Sequence, residues 1–476
     1  MKVVGKKLLV VLMVIFMMAG SLAGCGKNDA KQDDTPKDSV KPTDVVEQKE
    51  EVKVEKIRVW SDNAHEKELR LQQIEEFNNT IGKEKGIEIE YTVYGSNYQD
   101  AIKVAAQAGE APELFRPTGA FLLDFVNAGY LVPITDLPGG EEVVAPYKDQ
   151  LVNNLNVFNG KAYTLPYNLT SYKFIVNDDL FAKAGIKEYP KTWDEVREYA
   201  KIITEAGEGV EYGWVLALQS NWTISTYITR PNGVNTGHTG FNHETMQFDY
   251  SAFAPVIESI YGMVKDKSVF PGSEGLDADA ARAQFAEGRV GMIVGASFDT
   301  GVYNEQFPAK CNWSVIPMPA FTSEGSPYKE FADATSLLGV GAAAMKHPEK
   351  TLEVLKFFYD DANMAQMYEQ SLYIPYRQEA IDLAASEPTQ KGFKEFADLP
   401  QKALMLPTPD TAVTPEGDAY RDTIIKILTG VYGDDVKGAL ADLDKRYNTA
   451  LTQLDPAYVK TFEQTDEVIA NFKRVQ

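Results

Sequence analysis

Cysteine and histidine are scarce in this chain of 476 residues: it has 2 cysteines, Cys25 and Cys311, and 4 histidines, His65, His238, His243 and His347. Two such distant cysteines build no disulfide framework, and no Cys-x-x-Cys pair is present to hold zinc. Cys311 reads as a small buried hydrophobe. The histidines have no ligand spacing with acids or thiols and read as surface residues, so no metal and no cofactor is expected. Basic charge is also short, with 47 Lys+Arg against 69 Asp+Glu and a formal net charge of -22. Such a surface repels phosphates, which excludes nucleic acid as a partner and leaves no basic footprint for an anionic membrane. Gly-x-Ser-x-Gly, P-loop and Gly-x-Gly-x-x-Gly elements are absent. What is present is ordinary globular stock, 44% hydrophobic and 24% charged, in a length that suits two lobes.

The one continuous apolar run, Leu8 to Ala19, follows Lys2, Lys6 and Lys7 and is too short to span a bilayer. That is the layout of a secretory signal. It ends in Leu22-Ala23-Gly24-Cys25, which resembles the lipobox of bacterial lipoproteins, where the signal is cut before a cysteine that then carries lipid. The resemblance implies lipidation at Cys25, and two acyl chains there hold a protein at the membrane where one does so only marginally. Residues 1–24 are thus expected to be a signal peptide. Residues 25–55, rich in Lys, Asp, Glu, Gln, Thr and Pro, are expected to be a disordered tether with a mean span of about 30 Å.

The folded part opens with a strand signal at Ile57-Arg58-Val59-Trp60. A helical stretch through Leu69, Ile74 and Phe77 follows, then an alternating strand Ile87 to Val93, a helix from Tyr98 to Ala108, and a strand within Ala111 to Phe115. This β-α-β-α-β rhythm predicts a parallel sheet with helices on its faces. Asn159-Gly160 predicts a hairpin running on to Tyr172-Val176, and Thr192 with Glu195 predicts a capping box at a helix start. The last third reads as helical over 348–368, 423–428 and 436–454.

Several segments, taken in order, resemble the extracellular solute-binding proteins of the maltodextrin-type (family 1) ABC importers. They are Gly109-Glu110-Ala111-Pro112-Glu113-Leu114-Phe115, Gly129-Tyr130-Leu131-Val132-Pro133-Ile134, Asn159-Gly160-Lys161-Ala162-Tyr163-Thr164-Leu165-Pro166, and Asn177-Asp178-Asp179-Leu180-Phe181. Further on come Pro190-Lys191-Thr192-Trp193-Asp194-Glu195, Phe285-Ala286-Glu287-Gly288-Arg289-Val290-Gly291-Met292, and Thr429-Gly430 with the helix after it. The pattern departs from the family at Asp178, where Lys is frequent, and at Phe331 to Thr335, which leaves the ligand open. The resemblance implies an α/β, two-lobe periplasmic-binding-protein-like (type II) fold with hinge crossovers. The crossovers are expected near Thr170-Ser171, between Met318 and Ser336, and near Tyr373. Residues 56–169 plus 337–372 would make the N-terminal lobe, and 170–336 plus 373–476 the C-terminal lobe.

Sugars present apolar CH faces ringed by hydroxyls, so aromatic platforms and planar polar groups just past strand ends suit them. Trp60, Asp62 and Asn63 follow the first strand; they read as cleft wall and hydroxyl partners, or as a core Trp and an N-cap. Arg116 follows another strand end and reads as a hydroxyl or uronate ligand, or as half of a salt bridge. Tyr167 and Asn168 adjoin the first crossover, where the family often has a polar contact, and the same loop has a structural reading. Trp222 sits in a polar stretch and is a stacking candidate. Phe298-Asp299 follows the strand Gly291 to Gly295, where the family commonly has an aromatic platform. Asp333 and Tyr373 complete the set, while Trp193, Trp214 and Trp313 read as core.

The expected function is capture of a sugar or oligosaccharide by a lipid-anchored monomer on the outer face of the cell membrane, for delivery to ABC permease subunits, without catalysis. Two other readings stay open: a binder of peptides or other non-sugar solutes, and a surface glycoside-active enzyme. With 69 acids a carboxylate pair can always be found, so acid count decides nothing.

Overall fold

The computed structural model describes residues 53–95, 97–117, 121–220, 222–335 and 338–475. The apolar leader, Cys25 and residues 25–52 of the expected tether lie outside the described residues.

Ile57 and Val59 are fully buried in the strand Glu55–Ser61, which begins at the last residue of the expected tether. It pairs in parallel with Ile87–Val93 on one side and Leu114–Phe115 on the other. Gly339–Gly341 and Leu131–Val132 extend the sheet to five strands, Gly339–Gly341 running antiparallel to both its neighbours. The connecting helices are Lys67–Phe77 and Tyr98–Ala108, the latter ending on Gly109 at φ 72, a left-handed turn that glycine enters without strain. The strand expected within Ala111 to Phe115 shrinks to two residues, because Pro112 has no N–H for the ladder.

A second sheet, in the order Trp313–Ile316, Tyr172–Asn177, Val290–Ala296, Tyr212–Trp214, builds the other half. All seven residues of Val290–Ala296 are buried, as a strand covered on both faces must be. Helix Trp193–Ala206 packs on this sheet with Trp193 1% exposed, and Trp214 and Trp313 are buried as well, so these three tryptophans are core. The approach is so close that a Cβ at Gly213 would lie 2.1 Å from the Ala200 Cα. The capping box at the helix start is formed, Thr192 Oγ1 accepting from Glu195 N at 3.3 Å and Glu195 Oε2 from Thr192 N at 3.1 Å. Thr192→Ala is expected to cost about 1 kcal/mol in urea unfolding. An unchanged midpoint would show that the cap contributes nothing.

A third sheet links the two: Ile374–Pro375, Asn168–Thr170, Glu330–Thr335, Lys402–Leu404. Asn168–Thr170 runs straight on into Tyr172–Asn177 of the second sheet. Glu330–Thr335 lies between the second sheet's Trp313–Ile316 and the first sheet's Gly339–Gly341. The chain therefore passes between two α/β lobes through paired crossover strands, the periplasmic-binding-protein-like type II arrangement. The Asn159-Gly160 turn closes only a short hairpin, Val157–Phe158 with Lys161–Ala162, both turn residues at positive φ. Pro166 then interrupts the expected long ladder. The predicted helix over 348–368 is two, Pro348–Phe358 and Asp361–Glu369, because the Asp360 carboxylate caps the second by accepting from Ala362 N and Asn363 N at 3.0 Å each.

The final stretch also reaches the first lobe's loops. Asn153 N donates to Gln464 Oε1 at 3.0 Å and Asn153 Nδ2 to Glu463 O at 2.7 Å, while Lys329 N donates to Phe472 O at 2.8 Å. Among the described residues no helix is long and apolar enough to cross a membrane.

Candidate solute-binding cleft

The first sheet delivers Trp60 and Asp62 at one strand end and Arg116 at the next. Trp60 is half-buried with its ring 4.8 Å from that of Tyr94. Asp62 accepts from Arg116 Nη1 at 2.7 Å, both side chains about a quarter exposed, so the two form a salt bridge at the carboxyl ends of the strands. Asn63 adjoins them, its N–H donating to Ser61 Oγ at 3.1 Å.

Tyr167, Asn168 and Tyr373 are packed behind the crossover. Tyr167 is 4% exposed, its ring against Tyr359 and Tyr373, and its hydroxyl accepts from Arg70. Arg70 is itself fully buried and also donates to Glu66 Oε2 at 3.1 Å and Gln73 Oε1 at 2.9 Å. Asn168 Nδ2 donates to Thr335 Oγ1 at 3.0 Å, tying two crossover strands together. Tyr373 is 4% exposed and meets the His65 ring edge-on. In this conformation these three residues are turned from solvent and engaged with protein.

The second lobe brings Trp222 and Phe298 together. They come from different segments, are 39% and 51% exposed, and flank one guanidinium: Arg282 Cζ lies 5.2 Å from the Trp222 ring and 5.7 Å from that of Phe298. Arg282 pairs with Asp279 at 3.0 Å and with Asp299 at 2.6 Å. Asp299 is thus buried support; it also accepts from Ala296 N at 2.7 Å. Burial pushes its carboxyl pKa up against the opposing charge of Arg282. Nothing in the sequence singles out Arg282 from Asp279 and Gln284, the other polar residues of the helix Ala278–Ala286.

Trp222 opens a turn whose continuation supplies Ser225, Thr229 and Arg230 to the wall of a cavity of about 640 Å³. That volume is within the range of small-molecule sites. Leu123, Asp124, Asn154 and Leu155 from the first lobe form one side. Arg230, Tyr250, Asp410 and Tyr420 form the other, the crossover residues Asp333 and Ala334 lie in the wall, and Tyr458 and Phe462 complete it. Tyr420 stacks on Tyr250 at 5.3 Å and 8°. Asp333 Oδ2 accepts from Arg230 Nη1 and from the Tyr172 hydroxyl, each at 2.5 Å. Of the residues picked out by sequence, Asp333 alone lines this cavity. Arg230, Tyr250, Asp410 and Tyr420 were missed; the aromatic spacing of Phe241, Phe248 and Tyr250 was the available signal.

Two histidines expected at the surface are packed inside instead. His238 is 5% exposed and its Nδ1 accepts from Gly240 N at 3.2 Å. His243 is half-buried against Phe241, with Nε2 3.0 Å from Pro407 O. His238 precedes and His243 follows the first strand of the hairpin that pairs Phe241–Asn242 with Gln247–Phe248. Among the described residues no three His, Cys, Asp or Glu side chains converge to hold a metal. Cys311 is half-buried against the core, and burial pushes its thiol up to about 11. Burial likewise pushes the His243 imidazole down to about 4. The folded state then binds fewer protons than the unfolded one between pH 4 and 6.5, so this contribution is present above pH 6.5 and lost as pH falls toward 4. At most about 3 kcal/mol is involved. Unfolding titrations of wild type and His243→Gln are expected to differ in slope across that window, and parallel curves would remove the effect.

Residues 68–365, more than half the chain, match the model of the bacterial extracellular solute-binding proteins, and the chain belongs to that family. Two curated relatives illustrate the range. A Brucella abortus (strain 2308) protein named only as a binding protein is 25% identical, over 64% of this chain and 78% of its own. The sn-glycerol-3-phosphate-binding periplasmic protein UgpB of Brucella melitensis is 23% identical, over 67% and 72%. Among solved structures the fold is shared with apo RafE of Streptococcus pneumoniae (TM-score 0.62, 17% identity, 84% of this chain and 98% of that one). It is shared also with the cyclic alpha-maltosyl-1,6-maltose binding protein of Arthrobacter globiformis (TM-score 0.65, 14% identity, 84% and 100%). This is therefore a solute-binding protein of the ABC-importer class, a family of binding proteins and not of enzymes.

Proposed function

We propose that the chain is a lipid-anchored extracellular receptor that captures a sugar or oligosaccharide between its lobes and hands it, unaltered, to an ABC permease. The observation that carries the reading is the cavity between the lobes, walled by stacked tyrosines and by polar side chains that a ring of hydroxyls can pair with. On this reading Trp222 and Phe298 add two more exposed rings from the lobe that carries the Ser225 to Arg230 turn. Phe298 remains the foremost stacking residue, with Trp222 beside it. On this reading Trp60, Asp62, Asn63 and Arg116 contribute from the other lobe's strand ends, and Asp333 contributes from the crossover. Tyr167, Asn168, Asp299 and Tyr373 hold these walls in place. The lobes are taken as 56–169 plus 337–372 and 170–336 plus 373–476, with the last twenty residues bridging both.

The charge of the cavity bears on the other reading, a sugar phosphate of the kind named for the Brucella relatives. The charged residues in its wall are Asp124, Asp333 and Asp410 against Arg230, and Arg230 is already paired. A dianionic phosphate meets net repulsion there, whereas a hydroxylated solute does not. Calorimetric titration with mono- and oligosaccharides, sn-glycerol 3-phosphate and short peptides tests the assignment. Saturable binding confined to sugars is expected; binding of the phosphate or of peptides alone would refute it.

The lipobox-like Leu22 to Cys25 supports anchoring by lipid at Cys25, with residues 25–55 as the spacer and a monomer as the working unit. Cys25→Ser is expected to shift the protein from the membrane fraction to the medium. Equal membrane retention of the variant would refute the anchor.

A further inference from the structure

Asp410 is a cavity-wall carboxylate without a cation beside it. Its Oδ1 accepts from the Thr408 hydroxyl at 2.8 Å and from Thr411 N at 3.0 Å, which fixes its orientation. No hydrogen bond or ion pair reaches its Oδ2 among the described residues. Tyr250, Tyr420 and Tyr458 share the cavity with it. Their hydroxyl pKa values are raised, by burial first and then in part by the negative charge of Asp410. The arginines of the neighbouring segments are committed elsewhere. Arg230 is bound to Asp333 and Tyr172, and Arg421 donates to Asp422 at 2.9 Å and to Leu218 O at 2.9 Å.

A solute carrying only hydroxyls can hydrogen-bond to Asp410 and Asp124 but brings no countercharge for them as the cavity loses water, which is costly. A metal ion is not the answer, since no three acidic or histidine groups converge among the described residues. A protonated amine is. It can donate to the Asp410 carboxylate and to tyrosine hydroxyls while resting against aromatic faces. We propose that the solute bears a protonated amino group which seats on Asp410 between Tyr420 and Tyr458, making the ligand an amino sugar or an oligosaccharide containing one. This rests on the sugar-binding reading above and narrows it.

The test compares a glucosamine trimer, its fully N-acetylated counterpart and spermidine by calorimetry on the wild-type protein and on Asp410→Asn. The glucosamine trimer is expected to bind wild type at least tenfold more tightly than the acetylated trimer. In Asp410→Asn that preference falls to within about twofold, and a cooperative thermal unfolding transition near that of wild type shows the variant folded. Equal affinities in wild type, or a preference that survives in the variant, overturns the amine site and leaves sugar capture standing. Spermidine binding more tightly than either trimer overturns the proposal in favour of a polyamine. Binding of neither trimer overturns it, and absence of binding to every sugar tested overturns the broader reading as well.

Discussion

Trp222→Ala and Phe298→Ala are each expected to weaken oligosaccharide binding by about 1–3 kcal/mol, and the double variant by more than either alone. The two rings are exposed aromatics, from a loop and from a strand end, that flank Arg282, and a ring left open to solvent contributes less to folding than a core one. The guanidinium between them keeps both its carboxylate partners, Asp279 and Asp299, when the rings are removed, so the truncations leave no unpaired buried charge. Affinity should therefore fall roughly five- to 150-fold per ring, with thermal stability nearly unchanged. Unaltered affinity in both single variants would move the stacking surface elsewhere in the cleft without touching family membership.

The second large effect concerns stability. Arg70→Met should destabilise the fold by about 3–5 kcal/mol, because it strands a buried anion. Glu66 is 3% exposed, and its two oxygens are held by Arg70 at 3.1 Å and by the Tyr91 hydroxyl at 2.9 Å. Removing the arginine also takes the donor from Tyr167 and from Gln73. Arg70→Met combined with Glu66→Leu should recover at least half the loss, since the stranded charge goes with it. Urea unfolding of the three proteins reads this directly. A single variant as stable as wild type would mean that water reaches Glu66 in the native state.

The periodic elements were legible in sequence because their signals are local. Ile87–Val93 and Tyr98–Ala108 fall where alternation and the closing Gly109 put them, and the Thr192 capping box is formed as the Thr-x-x-Glu spacing requires. Errors came where a single residue overrode a longer pattern: Pro112 shortened a strand, Pro166 cut the hairpin and Asp360 split a helix. The site was harder to read because it is non-local. Trp222, Arg282 and Phe298 are brought together from a loop, a helix and a strand end, and only pairing across the second sheet joins them. Tyr420 and Asp410 come from the last quarter of the chain to share a cavity wall with Arg230, a convergence for which sequence spacing holds no trace. Burial was equally invisible: Tyr167 and His238 have polar ends that look like surface groups until the tyrosine and glycine neighbours around them are placed.

Small-angle X-ray scattering with and without saturating oligosaccharide, followed by recovery of the sugar, addresses the core of this account. Two hinged lobes that shut on an intact solute predict a smaller radius of gyration with ligand and a sugar returned unchanged. An identical scattering curve at saturation, or a cleaved sugar, would contradict it.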